Sequence, residues 1–181
     1  MPMTSVDTVR LRPVEDADAL IHAAFPPEPE IVRMYGGTFD PAATRDPSAS
    51  RAWVDWLREQ PFARIILADD RPVGAIRLHS LSGDDRRARL ALGLFSGRFL
   101  GRGIGRRAIA LTLDHAFGPM GLNRVDLRVL AYNHRAIRCY EACGFRHEGV
   151  EREAAFVDGQ WHDDRIMGIL AREWSGLPPT V

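Results

Sequence analysis

At 181 residues with 45% hydrophobic composition, the chain can bury one sizeable core and is short for two domains of ordinary size, so residues 1–181 are read as a single domain with its core over about 8–174. Twenty-four acidic residues balance 24 basic ones, which excludes bulk attraction to nucleic acid or anionic lipid and leaves any anion site to be built locally. No apolar run approaches the roughly 18–20 residues of a membrane span, and "MPMTSVDTVRLRPVEDAD" lacks the apolar stretch of a signal peptide, so the expectation is a soluble, cytoplasmic protein with no membrane partner.

In chain order, Thr8–Val14 alternates apolar and polar residues as a strand does, and Glu15–Phe25 has helical character. Prolines and glycines interrupt 26–50, which reads as short helical turns and loops forming an acceptor-side lid, followed by an amphipathic helix over Ser50–Gln60. Ala63–Leu81 reads as a hairpin turning at Asp69–Pro72, and Ala88–Phe95 as a more buried strand. A helix is predicted over Ile104–Phe117, with Ile104, Ala108, Leu111 and Ala116 on its apolar face and Gly118-Pro119 as its stop. Arg124–Ala131 is a strand parallel to the earlier one. The helix after it has Asn133 as N-cap and Gly144 as C-terminal stop. Arg146–Trp174 forms two long strands turning at Asp158-Gly159, and Ser175–Val181 a loose tail.

Between a predicted strand and a predicted helix, "GRFLGRGIGRRA" (Gly97–Ala108) places four glycines and four arginines in twelve residues. A helix starting near Ile104 exposes unpaired N–H groups and the positive end of its dipole, which attract phosphate. Gly101, Gly103 and Gly105 let the main chain approach the anion and take positive φ, while Arg102, Arg106 and Arg107 add charge. A phosphate loop of the G-x-x-x-x-G-K-[ST] kind needs a lysine, and all 24 basic residues here are arginine. A dinucleotide fingerprint needs a third glycine where Arg106 stands. Cys139 and Cys143, the only cysteines, share a helix face with His147 beyond; three candidate ligands on a helix that ends at Gly144 make buried packing the expectation and no metal site.

The loop "GRGIGRRA", the run "N-x-R-A-I-x-x-Y-E-x-x-G-F" complete from Asn133 to Phe145, and the closing "DGQWHDDRIM" together resemble the GNAT superfamily of acetyl-CoA-dependent N-acetyltransferases. The branch is that of the RimJ and RimL ribosomal-protein enzymes and the SpeG-type spermidine enzymes. The likeness runs from Val9 to Trp174 and is strongest from Ala88 to Met167. It implies an α+β (mixed α/β) fold: a mostly antiparallel mixed sheet of about seven strands with a splayed parallel pair and helices on both faces. It also implies acetyl-CoA as cosubstrate and an amine as acceptor, with no metal and no nucleic acid, and leaves room for a homodimer. By resemblance, Leu100, Gly101, Arg102, Gly103, Ile104, Gly105 and Arg106 hold the coenzyme A pyrophosphate. Gly93, Leu94 and Phe95 offer backbone to pantetheine and thioester, Asn133 contacts the cofactor, and Tyr140 protonates the departing thiolate. Asn133 and Tyr140 lie seven apart, on one helix face.

Two positions depart from the family pattern. Leu100 opens the loop where Gln or Arg is common, with Arg98 nearby to compensate, and Arg89 stands where a glutamate is common at the start of the splayed strand. His79, Asp126, Glu153 and Asp163 are the candidate bases or water-holders. The resemblance implies direct transfer in a ternary complex, with an N–H near Phe95 stabilising the oxyanion and no role for Cys139 as nucleophile. The acceptor expected is an α-amine of a peptide, protein terminus or amino-acid-like compound, since an amine of pKa about 7.7–8.0 needs less help to be neutral than one of about 10.4. The alternatives are a polyamine, which Glu28 and Glu30 of the lid could attract, and a non-catalytic acetyl-CoA-binding module.

Overall fold

A computed structural model describes residues 6–177 of the chain, so from 178 onward the expected tail lies outside the described residues. The elements are β1 (Val9–Arg12), α1 (Asp18–Ala23), α2 (Pro29–Met34), α3 (Pro47–Arg58), β2 (Phe62–Ala68), β3 (Arg71–Ser82), β4 (Arg87–Leu94), α4 (Ile104–Phe117), β5 (Arg124–Leu130), α5 (His134–Ala142), β6 (Arg146–Val157) and β7 (Gln160–Leu170). The seven strands form one sheet in the order β1-β2-β3-β4-β5-β7-β6. Every neighbouring pair is antiparallel except β4–β5. This is the mixed sheet that the sequence predicts.

Local chemistry accounts for most boundaries. Asp69-Asp70 and Asp158-Gly159 take positive φ (47° and 63°, 50° and 78°), the signature of two-residue hairpins whose twist matches the strands. The first turn is therefore two residues shorter than the Asp69–Pro72 expected, and Arg71 and Pro72 already belong to β3. Helix α3 starts three residues before Ser50 because Asp46 caps it, accepting from the Ala49 N–H at 2.8 Å, and Pro47 suits the first helical position. Asn133 caps α5 in the same way through the Ala136 N–H at 3.1 Å, and Gly144 (φ 90°) ends it.

The main core lies between the sheet and α4 and α5, with Ile109, Leu113, Leu127, Met167 and Ile169 almost fully enclosed. Leu111 is a correction to the predicted apolar face: it is 40% exposed, and the buried stripe runs through Ile104, Ala108, Ile109, Thr112, Leu113 and Ala116. On the opposite face a smaller core packs Leu57, Ala63 and Ile65 with Trp53 beneath α3. Cys143 is buried in the main core and Cys139 packs against it half-buried. No described helix is long and apolar enough to cross a membrane.

The feature that positions everything else is the β4–β5 junction. Only Arg87↔Arg124, Ala88↔Val125 and Arg89↔Asp126 pair across it. Beyond them the strands part, leaving Leu90–Leu94 and Leu127–Leu130 to face an open wedge.

Candidate active site

The wedge opens into a cavity of about 700 Å³. One end is the glycine loop. Gly101 and Gly103 take φ of 73° and 74°, and a Cβ built on either would meet nothing within 4 Å, so the space above the loop is open. Gly103 is the N-cap of α4 and supplies no side-chain acceptor, so the N–H groups of Ile104, Gly105 and Arg106 have no partner among the described residues. Gly105 is a correction to the three-glycine argument: its φ is not positive, and a Cβ there would make only ordinary contact with Cys139 Sγ at 3.6 Å.

Arginine charge is distributed unevenly around this end. Arg102 and Arg106 line the cavity, and the buried Nε of Arg106 has no hydrogen-bond partner. Arg107 turns away to the carbonyls of Val6 and Asp7 at 2.8 and 3.2 Å, where it holds the amino-terminal segment instead of facing an anion. Arg98 stacks over Phe25 and Phe99. Free amides, a positive helix terminus and an orphaned guanidinium fit a pyrophosphate, and the apolar walls of Leu90, Leu92 and Ile104 fit a pantetheine arm.

At the other end Tyr140 lines the cavity from α5 and is 8% exposed. Burial raises its phenol above the ordinary value, with Tyr35 nearby adding to the effect, and its hydroxyl makes no hydrogen bond among the described residues. Such a group stays protonated at neutral pH and keeps its proton to give. Asn133 also lines the cavity, although its amide already caps α5 and donates to the Met34 carbonyl at 3.4 Å.

Phe95 is not an available donor. Its N–H is bound to the Val73 carbonyl at 2.8 Å. In an antiparallel pair, alternate residues point their backbone groups to the two sides, so with Phe95 turned to β3 the Leu94 N–H faces the wedge. Tyr35, at the end of α2, donates its hydroxyl proton to the Leu92 carbonyl at 2.9 Å, beside the Leu94 amide. Gly93 is required beneath it, because any Cβ there would collide with the Tyr35 hydroxyl.

Residues 26–50 are tied down from several directions. Glu28 accepts from the Gly97 N–H at 2.8 Å, and its carboxyl is held below the usual range by hydrogen bonds from Ser96 and Gly97. Glu30 pairs with Arg135 at 2.6 Å, and the Tyr132 hydroxyl donates to the Arg33 carbonyl at 2.7 Å. Both carboxylates thus fasten this segment to the glycine loop and to α5 instead of standing free to attract a cation.

Under this segment lies a second cavity, of about 420 Å³, which shares Tyr35, Gly36 and Leu94 with the first. Gly93 and Phe95 line this one, whereas Leu94, Leu100–Arg106, Asn133 and Tyr140 line the larger. His22, Trp53, Arg45 and Arg77 supply the polar and aromatic part of its remaining wall. His22 stacks on Trp53 with centroids 4.1 Å apart, approaches Ser50 Oγ through Nδ1 at 3.0 Å, and is pushed down to about 4 by burial and then by Arg45. Sequence reasoning singled out none of these four, and no motif marks them, because they come from α1, α3, β3 and the segment before α3.

None of the four candidate bases lines either cavity. His79 sits on β3 opposite Arg89, its pKa lowered by burial, then by Arg77 and Arg89. Asp126, 5% exposed, receives Arg89 Nε at 2.7 Å and lies 3.5 Å from Arg124. Asp163 accepts the N–H of Glu153 at 2.8 Å within a bulge of β6, where Glu153 has a φ of 51°. Among the described residues, no three His, Cys, Asp or Glu side chains converge as metal ligands would.

A mixed sheet opened at a splayed parallel pair, with a glycine-rich helix start at its mouth and a phenol in its depth, defines an acyl-group transferase built to hold an extended thioester. The family described as "Acetyltransferase (GNAT) domain" matches residues 8–146, well over half of the chain, and the chain belongs to that family. It is an N-acetyltransferase, with acetyl-CoA as its acyl donor. Over 117 residues it is 32% identical to "Probable N-acetyltransferase YjcK" of Bacillus subtilis (strain 168), covering 62% of each chain. It is 25% identical over 173 residues to the spermidine N(1)-acetyltransferase of Escherichia coli (strain K12), covering 95% of this chain and 91% of that one. Its backbone superimposes on Mycobacterium smegmatis RimJ in complex with CoA-disulfide with a TM-score of 0.80 at 24% identity, over 93% of this chain and 85% of that one.

Proposed function

We propose that this single domain, with its core over 8–174, transfers the acetyl group directly to an α-amine in a ternary complex. The observation that carries this reading is Tyr140: a buried tyrosine whose hydroxyl makes no hydrogen bond among the described residues, in the same cavity as the free amides of the glycine loop.

Bound acetyl-CoA supplies an activated acyl carbon and a thiolate leaving group. Gly101–Arg106, with the unpaired N–H groups at the start of α4 and the Arg106 guanidinium, hold the pyrophosphate. The Leu94 N–H faces the wedge and is held by the Tyr35 hydroxyl, which has to shift for this amide to meet the acyl oxygen as it gains negative charge. As the C–N bond forms and the C–S bond breaks, Tyr140 gives its proton to the sulfur and the amine releases its own to water. With Arg89 in place of a carboxylate, Asp126 engaged by it, and Asp164 in the larger cavity paired with Arg128 at 3.0 Å, no unpaired carboxylate lines either cavity among the described residues. That suits an amine already partly neutral, such as an α-amine, better than a polyamine.

Tyr140→Phe keeps the ring and removes the hydroxyl. Acetyl-CoA binding, followed by thermal shift, should persist while turnover falls about 100-fold or more, the scale for losing a general acid. Turnover at the wild-type level would assign thiolate protonation to another group.

A further inference from the structure

The second cavity is charged in a way that bears on the acceptor. Arg77 reaches it from β3, half-buried, and its Nε is enclosed with no hydrogen-bond partner among the described residues. No carboxylate pairs with it among the described residues; its guanidinium lies 4.5 Å over the Trp56 ring. Arg45 lines the same cavity, also half-buried; it donates to the Phe25 carbonyl at 3.1 Å, and Glu28 acts on it electrostatically. Both guanidinium groups act electrostatically on the Tyr35 hydroxyl, so both stand close to the point where the two cavities meet. No Asp or Glu lines this cavity, and His22 stays neutral in it at neutral pH.

Two half-buried cations facing a concave space, one with an unmet donor, are costly in the empty protein and are relieved by an anion. A guanidinium fork matches a carboxylate with two parallel hydrogen bonds. Trp53 and Phe95, whose ring centroids are 5.8 Å apart, supply a flat apolar wall beside it. A polyammonium chain would meet two positive charges there, and Glu28, the carboxylate that acts on Arg45, is already tied to Ser96 and Gly97.

We infer that the 420 Å³ cavity is a carboxylate-reading acceptor site: it takes a small amine bearing a carboxylate and an apolar or aromatic body, seated with the carboxylate between Arg45 and Arg77 and the body against Trp53 and Phe95. The amine of such a compound reaches the wedge past Gly93 and Leu94, which border the cavity. This inference rests on the acetyl-transfer reading above and narrows its acceptor to the class of amino acids and related amino carboxylates.

The test measures acetylation of phenylalanine, phenylalanine amide, phenethylamine, a phenylalanine-led tripeptide amide and spermidine, with acetyl-CoA binding followed separately by thermal shift. The free amino acid should exceed its amide and its decarboxylated amine by about 10–100-fold in kcat/KM, the range for one charge-assisted contact. Arg77→Met and Arg45→Met should each collapse that preference through KM while leaving acetyl-CoA binding intact. In a readout independent of turnover, 3-phenylpropionate, which has the carboxylate but no amine, should bind the wild-type protein in calorimetry and lose about 10-fold or more in affinity in Arg77→Met. Equal use of acid and amide, preference for spermidine or the tripeptide amide, or no turnover of any compound by protein that binds acetyl-CoA would overturn the acceptor class and leave the donor reading standing. Failure to bind acetyl-CoA would overturn the transfer reading and this one with it.

Discussion

His22 shows how far one side chain's behaviour is set by what surrounds it. Stacked on Trp53, edge-on to Phe95 and beside Arg45, its imidazole is pushed down to about 4 from an ordinary 6.5. Between those two values the unfolded chain holds a proton at this site that the folded protein does not, so stability falls as pH falls through the window. The thermal midpoint should drop between pH 6.5 and 5, and His22→Gln should drop less; parallel slopes would mean that other groups, His79 among them, carry the acid sensitivity. At this scale legibility was uneven. Tyr140 and Asn133 could be read because seven residues of helix fix their common face and the surrounding motif is local. Tyr35, Arg45 and Arg77 could not, because only the docking of α2 and α3 on the sheet brings them together. Which N–H near Phe95 faces the wedge could not be read either, because that depends on the register of β4 with β3, set by pairing across space.

The helix start at Gly103 is the element on which donor binding turns. With φ at 74° and nothing within 4 Å of a built Cβ, Gly103→Ala fits sterically but must hold a left-handed conformation, at a cost of about 1–2 kcal/mol. Gly103→Glu adds bulk and negative charge over the free amides. Acetyl-CoA at about 100 times its dissociation constant should stabilise the wild-type protein by roughly 2.7 kcal/mol. Gly103→Ala should lower the starting stability and weaken that gain, and Gly103→Glu should abolish it. Gly105→Ala should keep the gain and raise basal stability by about 0.4–1 kcal/mol, since a helical glycine with room for a methyl is a liability. Matching behaviour of the two alanine variants in thermal unfolding would undo the distinction between them. Hairpins and caps were readable because Asp69-Asp70, Asp158-Gly159, Asp46 and Asn133 act on their own neighbours. The 26–50 segment was readable only as irregular, since Glu28, Glu30 and Tyr35 find their partners far along the chain.

Taken whole, the sheet is two antiparallel halves joined through three residue pairs, and Asp126 is the buried group at that seam, held by Arg89 from one half and Arg124 from its own strand. Removing a buried partner typically costs about 3–5 kcal/mol, and the partly exposed arginines reduce this to about 2–3 kcal/mol for Asp126→Ala. Denaturant unfolding should show that loss as a lower midpoint, with Asp126→Asn losing less because it still accepts a hydrogen bond. An unchanged midpoint in the alanine variant would show that backbone pairing and the core hold the seam unaided. The mixed sheet and its splayed parallel pair were legible as a family resemblance, and the parallel pair also as two strands flanking a helix. The closing of the seam by Arg89 was not: in sequence that residue registers only as an absent glutamate.

A wedge between two strands is also an exposed edge, a row of unsatisfied backbone groups of the kind through which unrelated chains add themselves as extra strands. Tyr35 covers that row on β4 with one phenol, taking the Leu92 carbonyl next to the Leu94 amide. By lying across the opening, the side chain that borders both cavities also shortens the run of open backbone on that edge.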